Sequence, residues 1–275
     1  MLRPDGSNQE LFLPGKGGFM SAEIQAPTTK KLDFSLPESY QHQSLIERMR
    51  LTFAIDRYVA LPALFSGDVL AQLRSELARL EQLGKNKSFD MDRYNTPRIM
   101  TILGGQVIQR ESELLRELYS HPDLRSVIQR VVGKPVYDCT DIEEWMISTV
   151  LKAPGNTHGW HLDDPPLALV IFLDSPLPEQ GGSVEYIRDW RRLCSEIGVD
   201  HDISVAPLVE KCRDAGLIEI KHHTAGDAYL LQADECLHRV TELNSVGARR
   251  AILNLTFELT ENVQRCGYTV GLLVE

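Results

Sequence analysis

HLDDPPLALVIFLDSPLPEQGGSVEYI, residues 161–187, is the stretch of sequence that decides the fold. It opens with two polar groups, His161 and Asp163, separated by a single residue. The continuous apolar run at 168–173 predicts a strand that is buried on both faces. Gly181-Gly182 precede a β-branched and aromatic segment, 183–187, which predicts a hairpin turn into a second strand. The stretch therefore indicates antiparallel β-structure with polar side chains at a strand end.

Strand signals continue on both sides of this stretch, and helical signals come before them. Residues 66–84 have leucines at helical spacing between Ser66 and Gly84, which predicts a helix. Further helices are predicted at 107–119 and 122–132, the latter ended by Gly133. Strands are predicted at 136–140, 144–150, 219–221, 228–231 and 251–257.

This order of elements predicts an α+β protein with a closed or sandwich-like β unit. Residues 1–30 are rich in Gly, Pro, Gln and Ser and predict a flexible arm. Residues 31–275 are expected to form one domain, with a helical part at about 31–134 and a β part at about 135–275. A helical insert at about 189–216 interrupts the strands, as a lid over a site or as a decorated loop.

Composition narrows the classes of function. The 275 residues carry a net charge of -10, which argues against a nucleic-acid surface. No apolar run is long enough to span a bilayer, and no secretory signal is visible at the start. The five cysteines form no C-x-x-C pair, which favours reduced thiols and a cytoplasmic location. A small-molecule ligand is therefore expected, while the oligomeric state stays open.

The tripeptide at 161–163 is a candidate metal site. Alternate residues of a strand point to one side, so His161 and Asp163 can share a cavity. His238 follows the segment 226–232, a turn and a strand that would deliver it to the same cavity. Two imidazoles and one carboxylate, with positions left open, form the ligand set of non-haem Fe(II) oxygenases. An H-x-D pattern alone is weak; the other histidines (His158, His201, His222 and His223) are more often surface or hydrogen-bonded residues.

A basic pair downstream, Arg249-Arg250, extends the pattern. Gly247-Ala248-Arg249 enters the last long strand, eleven residues after His238. An arginine at this position can hold the distal carboxylate of 2-oxoglutarate through its two-pronged guanidinium. Neighbouring strand residues face opposite sides, so one arginine should enter the cavity and the other should be solvated. We favour Arg249 as the inward residue.

The residues at about 95–260 together resemble the Fe(II)/2-oxoglutarate-dependent oxygenases. The resemblance implies a double-stranded β-helix (jelly-roll) core with N-terminal helices packed on one sheet. It also implies a triad of His161, Asp163 and His238. Within this superfamily the chain is most similar to the branch that contains free-lysine radical halogenases and lysine hydroxylases. The segment after His238 is one residue longer than in that branch.

The resemblance also implies a set of substrate contacts. Asn95-Thr96-Pro97-Arg98 is similar to the segment that supplies an arginine for the substrate α-carboxylate, and Glu144 lies on the strand that supplies an acid for the amine. His158, Asp164 and Thr256 are expected around the rest of the substrate. Alternatives remain for several: Arg98 as a surface ion-pair partner, Glu143 in place of Glu144, Asp164 as a turn residue. Trp145 and Trp160 are expected to be packing residues.

One residue separates the two activities of this branch. Its halogenases have Gly or Ala at the carboxylate position, where chloride takes the vacated site, whereas this chain has Asp163. The resemblance therefore implies hydroxylation, with Fe(II) as metal and 2-oxoglutarate and O2 as co-substrates. Free L-lysine, at C4, is the expected substrate. Ornithine, another amino acid or a small natural-product intermediate is the first alternative, and a non-enzymatic jelly-roll binding protein is the second.

Overall fold

The computed structural model describes residues 32–91, 94–201 and 205–265. The arm expected at 1–30 lies outside these residues. Seven α-helices occur within the described ranges: α1 (Gln43–Asp56), α2 (Gly67–Leu80), α3 (Gly105–Glu111), α4 (Glu113–Ser120), α5 (Pro122–Val132), α6 (Trp190–Ile197) and α7 (Ala206–Asp214).

Twelve strands, all paired antiparallel, form a single curled sheet in the described part of the chain. The strand order is β1-β10-β7-β12-β5-β3-β6-β11-β8-β9, with β2 beside β3 and β4 beside β12. The strands are β1 (Tyr58–Leu61), β2 (Lys85–Met91), β3 (Thr96–Leu103), β4 (Tyr137–Asp138), β5 (Met146–Leu151), β6 (Thr157–His161), β7 (Leu167–Asp174), β8 (Val184–Ile187), β9 (Glu219–Lys221), β10 (Ala228–Gln232), β11 (Leu237–Val240) and β12 (Arg250–Glu258).

The central strand β7 is buried on both faces, as its unbroken apolar sequence predicts. Its odd-numbered residues, such as Leu169 and Ile171, join the large core that the helices cover. Its even-numbered residues, such as Val170 and Phe172, join a second cluster inside the curl of the sheet. Strand β12 alternates in the same way, since Leu253 faces the helical core and Ile252 faces inward. The α+β double-stranded β-helix with N-terminal helices on one sheet is confirmed.

Several local predictions hold and three need correction. Helix α5 has the predicted bounds, with Pro122 in its first turn and Gly133 left-handed at its end. The helix predicted at 107–119 is broken, because the Ser112 hydroxyl accepts from Leu115 N at 3.2 Å and starts a new helix. The part predicted to be helical, 31–134, also contains β1, β2 and β3.

The hairpin predicted at Gly181-Gly182 is wrong. Strand β7 pairs with β10 and β12, whereas β8 pairs with β11 and β9, so the turn carries the chain from one part of the sheet to another. Gly181 instead bridges to Leu243 at a positive φ of 83°. A Cβ at this glycine would collide with the carbonyl of Glu242, so only glycine allows the close approach.

The helical insert forms a small core of its own. Trp190 and Cys194 of α6 and Val209 of α7 are buried together against Leu237 of β11. Four cysteines, Cys139, Cys194, Cys212 and Cys236, are buried free thiols. No helix in the described ranges combines the length and apolar character that crossing a bilayer requires.

Candidate active site

Three side chains predicted as metal ligands converge at one end of the curled sheet. His161 ends β6 and His238 lies in β11, where the two residues are paired directly across the ladder. Asp163 follows β6 and is anchored by its backbone, because its N–H donates to Ala233 O at 3.1 Å. The candidate ligand atoms of the three residues all lie within 4.8 Å of one another. The sequence prediction of this triad is confirmed as a geometric cluster.

Both imidazoles present the same nitrogen to the cluster. Nδ1 of His161 lies 2.8 Å from Gly159 O, and Nδ1 of His238 lies 2.9 Å from Cys236 O. A carbonyl can only accept, so Nδ1 carries the proton and Nε2 keeps its lone pair. Those Nε2 atoms lie 3.4 and 3.7 Å from Oδ1 of Asp163. The arrangement is the one that histidine ligands of a metal require.

The electrostatics of the cluster also fit a divalent cation. Burial lowers the pKa of His161 well below its ordinary value, and neighbouring His238 adds to the effect, so the ring stays neutral. Burial raises the pKa of Asp163, and its Oδ2 has no hydrogen-bond partner among the described residues. The Asn254 side chain hydrogen-bonds to this carboxylate, and a bound cation would supply the interaction that Oδ2 lacks. The three residues therefore fit Fe(II).

The triad opens into a cavity of about 870 Å³, mouth included. Apolar and aromatic side chains make up much of the wall, among them Met91, Ile147, Val170 and Tyr229. All five predicted substrate contacts also lie in the wall, namely Arg98, Glu144, His158, Asp164 and Thr256. Among the described residues of the insert at 189–216, none lines the cavity.

Arg98 is a buried cation without a carboxylate partner in the described structure. It is 1% exposed, which contradicts the alternative that it is a surface ion-pair residue. Its Nη1 donates to Gly159 O at 2.7 Å, while its buried Nε has no hydrogen-bond partner among the described residues. Burial lowers its pKa to about 10, so the guanidinium is still charged at neutral pH. An anion in the cavity would satisfy it.

Glu144 is the converse, a buried acid that faces the same cavity. Burial, and then the nearby Asp164 and Asp141, raise its pKa to about 8. Its Oε2 is without a hydrogen-bond partner in the described ranges. Thr256 fixes the backbone here, because its hydroxyl donates to the Glu144 carbonyl at 2.7 Å. Glu143 faces the other way and accepts from Gln106 N at 3.2 Å. Both glutamates lie in the turn before β5, so the expectation that Glu144 lies on the strand is wrong although its side chain reaches the cavity.

His158 stacks on the first metal ligand. Its ring centroid lies 4.1 Å from that of His161, at an interplanar angle of 21°. Burial lowers its pKa well below the ordinary value, with the charge of Arg98 acting in the same direction. Its Nε2 is buried without a partner in the part of the chain that the structure describes. His158 can therefore hydrogen-bond to a ligand in the cavity.

The arginine pair is oriented opposite to our expectation. Arg249 lies outside the cavity wall, where Nε donates to Asp174 at 2.9 Å and Nη2 donates to Glu81 at 2.7 Å. Arg250 is 2% exposed and lines the cavity. Its guanidinium lies 5.0 Å from the centroid of Phe172, and burial lowers its pKa to about 10. The prediction that Arg249 enters the cavity is therefore wrong.

The correction follows from the period of the strand. Arg250, Ile252, Asn254 and Thr256 of β12 all line the cavity, at every second position. The sequence prediction placed both Arg249 and Thr256 inside, although an odd separation cannot put two residues on one face of a regular strand. This odd separation can be read from the sequence alone. It would also have pointed to Asn254, which the sequence analysis missed together with Tyr229.

Solved structures with this architecture share little sequence with the chain. The epimerase SnoN, in complex with Fe3+, alpha ketoglutarate and nogalamycin RO, has a TM-score of 0.60 and 15% identity, over 79% of this chain and 84% of its own. The alpha ketoglutarate-dependent carbocyclase SnoK from nogalamycin biosynthesis has a TM-score of 0.60 and 17% identity, over 81% and 87%. HygX from Streptomyces hygroscopicus, with nickel and 2-oxoglutarate bound, has a TM-score of 0.52 and 15% identity, over 78% and 87%. At these identities the likeness shows the fold.

The fold and the His-Asp-His site define an Fe(II)- and 2-oxoglutarate-dependent oxygenase. Within that class the chain belongs to the Halogenase D family, whose sequence model matches residues 40–269. None of the curated proteins matches the chain significantly in sequence. The reading as a non-enzymatic binding protein is thereby excluded, while the substrate and the outcome of the oxidation remain to be inferred from the site.

Proposed function

We propose that this oxygenase hydroxylates an unactivated carbon of a free cationic amino acid, with L-lysine as the first candidate and C4 as the expected carbon. The observation that carries the proposal is a pair of complementary buried groups in the cavity wall, of which the acid, with its pKa raised to about 8, loses its proton when an ammonium binds beside it. Arg98 is a buried cation and Glu144 a buried acid, and both have unsatisfied polar atoms within the described ranges. A zwitterion with a carboxylate and an ammonium complements both groups.

The residues of the chain then have distinct tasks. Arg98 grips the α-carboxylate, Glu144 accepts from an ammonium, and Asp164 offers a second carboxylate at the wall. Arg250, buried and without a carboxylate partner in the described structure, holds the distal carboxylate of 2-oxoglutarate. Iron held by the triad supplies, with 2-oxoglutarate and O2, the oxidising power that breaks a C–H bond. Regiochemistry follows from which carbon these contacts place nearest the metal.

Chlorination is the alternative that the family name raises, and Asp163 argues against it. Its carboxylate already faces both Nε2 atoms, at 3.4 and 3.7 Å, and so completes a three-residue ligand set. A halide would need the position that this carboxylate takes. Hydroxylation is therefore the outcome that the site favours.

The decisive experiment is mass spectrometry of reactions that contain Fe(II), 2-oxoglutarate, O2, chloride and a panel of free amino acids. We expect one added oxygen on lysine, with equimolar succinate. Ornithine is one methylene shorter, a difference that is worth only ~1–3 kcal/mol in a pocket, so weaker turnover of ornithine is also expected. Turnover only of amino acids with neutral side chains would contradict the acidic-pocket assignment, and a chlorinated product would contradict hydroxylation.

A matched pair of variants tests the ammonium contact. Glu144→Gln keeps the shape of the side chain but removes its charge, so KM for lysine should rise at least about 30-fold, the equivalent of a lost charged hydrogen bond of ~2 kcal/mol. Glu143→Gln is the control, because Glu143 faces away from the cavity. Steady-state kinetics with lysine measure both. An equal effect of the two variants would mean that Glu144 does not bind the substrate.

A further inference from the structure

A cluster of aromatic rings lies directly behind the cavity and takes no part in the proposed binding of substrate. Tyr229 lines the cavity, and its ring centroid lies 5.2 Å from that of Tyr58. Tyr58 stacks on Tyr186 at 4.9 Å with an interplanar angle of 16°. All three tyrosines are less than 5% exposed. Three oxidisable rings in close contact therefore connect the wall of the metal site to the body of the sheet.

The middle tyrosine, Tyr58, forms a hydrogen bond with a histidine that can act as a base. Tyr58 OH lies 2.5 Å from Nε2 of His223, a residue that is 5% exposed. Burial lowers the pKa of His223 to about 4, with Arg250 and Lys221 also opposing its protonation while Asp227 favours it. The imidazole is therefore neutral and accepts from the phenol. Burial also raises the pKa of Tyr58, so the phenol keeps its proton at rest.

The outer end of the cluster approaches the surface. The charged groups that act on Tyr186 are Glu219, Asp56 and Arg188. Asp56 and Arg188 form an ion pair of 2.7 Å, and the side chains of both are at least 40% exposed. Near the inner end, the carboxylate of Asp163 is among the charges that act on Tyr229. The order of rings from the metal site to the surface is therefore Tyr229, Tyr58, Tyr186.

We propose that Tyr58, hydrogen-bonded to His223, is an internal electron donor that reduces the active-site oxidant when no substrate is hydroxylated. In this step Tyr58 loses one electron, which passes through Tyr229 to the oxidant that O2 and 2-oxoglutarate would form at the site, and the oxidant takes up a proton from solvent. A second electron and proton, delivered in the same way after Tyr58 is reduced again, complete the conversion of the oxidant to water. The phenol O–H bond breaks, and its proton forms an N–H bond at Nε2 of His223. A thiol or ascorbate at the surface later returns the electron through Tyr186, and the proton moves back.

The local charges explain why the proton must move. The Lys221 ammonium lies 6.0 Å from the centroid of the Tyr58 ring and would repel a ring that became positive. An oxidised phenol is a very strong acid, so even the weak base His223 takes its proton. Transfer along a preformed hydrogen bond leaves a neutral tyrosyl radical. The inference rests on the oxygenase chemistry of the site and not on lysine as its substrate.

The test uses the Fe(II)-loaded protein with 2-oxoglutarate, mixed with O2 without amino acid and freeze-quenched for electron paramagnetic resonance. We expect a tyrosyl radical in the wild type and a signal at least five-fold weaker in Tyr58→Phe, which keeps the ring but loses the hydroxyl. Tyr40→Phe is the control, because Tyr40 is also buried and its hydroxyl donates to Pro62 O at 2.7 Å outside this cluster. Peptide mass spectrometry should then show more oxidation of cavity residues, such as Met91, in Tyr58→Phe than in the control.

A second measurement avoids the metal altogether. Photo-oxidation of the metal-free protein by a ruthenium polypyridyl sensitiser with persulfate should place the radical on Tyr58, and His223→Phe should lower its yield several-fold. Succinate formation without a tyrosyl radical, or an equal radical in Tyr58→Phe, would overturn the inference while leaving the oxygenase assignment intact. Absence of succinate under all conditions, with the Tyr58 radical still formed by the sensitiser, would instead refute the oxygenase assignment and, with it, the role of Tyr58 as donor to an active-site oxidant.

Discussion

At the scale of single residues, the two adjacent arginines of β12 have opposite environments. Arg250→Gln should raise KM for 2-oxoglutarate at least about 30-fold, because loss of a buried charged contact typically costs ~2–5 kcal/mol. Arg249→Gln should leave this KM within about two-fold, since Arg249 pairs with Glu81 and Asp174 outside the cavity. Succinate formation at varied 2-oxoglutarate measures both. A larger effect of Arg249→Gln would restore the original sequence assignment.

His223 should make the stability of the protein depend on pH. Its pKa is lowered from 6.5 to about 4 by burial, so the unfolded chain binds a proton at a higher pH than the folded one. The stability that this neutral histidine contributes is therefore present above about pH 6.5 and lost as the pH falls toward 4. Between pH 7.5 and 5 the loss should be about 2 kcal/mol.

The measurement is urea unfolding across this pH range for wild type and His223→Phe. Other titrating groups act on both proteins, so their difference isolates His223. Between pH 7.5 and 5 the free energy of unfolding of the variant should fall by about 2 kcal/mol less than that of the wild type. At pH 7.5 the variant should be the less stable protein, because Tyr58 loses its hydrogen-bond partner. Parallel pH profiles of the two proteins would show that His223 does not titrate between the folded and unfolded states in this range.

At the scale of elements, contact between β3 and β6 holds the site together. Gly159 of β6 is crossed closely by β3, since a Cβ there would lie 2.7 Å from Thr96 Cβ and 2.8 Å from Pro97 O. The Gly159 carbonyl accepts from both Arg98 and His161. Gly159→Ala should therefore separate the strands, destabilise the fold by ~1–3 kcal/mol and weaken Ni(II) binding by calorimetry.

Gly105→Ala is the matched control for this substitution. Gly105 is even more crowded, since a Cβ there would collide with Ile142 O and lie 2.7 Å from the Trp145 ring, but neither of these residues lines the cavity. We expect it to lower the free energy of unfolding while the folded fraction binds Ni(II) normally. Unchanged Ni(II) affinity in folded Gly159→Ala would show that the two strands position the triad less directly than the contacts indicate.

The sequence predicts the elements whose own residues show a helix-end or hydrophobic pattern. Helix α5 has its proline and glycine at the ends, and β7 is apolar throughout. Strand β2 was missed because it is mostly exposed and polar and is held by pairing with β3. Strands β6 and β11 are short, and their metal ligands interrupt the apolar pattern. The hairpin failed because the partners of β7 lie far away in sequence, which a local turn signal cannot show.

At the scale of the whole molecule, the two faces of the sheet have different roles: one packs in the core that stabilises the fold, and the other forms the candidate active site. The helices α1 to α5 cover a core built from one face of the central strands, while the other face lines the cavity and carries the buried charges. The triad could be predicted because several patterns occur together in one order: the H-x-D tripeptide before an apolar strand, His238 after a second strand, and then the basic pair. The lack of hydrogen-bond partners at Arg98 Nε and Glu144 Oε2 could not be predicted, because it depends on the side chains of every surrounding strand.

This division predicts that metal and co-substrate stabilise the molecule as a whole. Buried groups without partners cost free energy in the empty fold, and a ligand that satisfies them binds only the folded chain. Ni(II) and 2-oxoglutarate, each at about 100 times its Kd, should each add ~2.7 kcal/mol, and each should raise Tm by roughly 5–10 °C. Chelation of the metal should reverse the increase in differential scanning calorimetry. Asp163→Ala should abolish the Ni(II) effect and Arg250→Gln the 2-oxoglutarate effect, whereas Arg249→Gln should keep both; a full Ni(II) shift in Asp163→Ala would place the metal elsewhere.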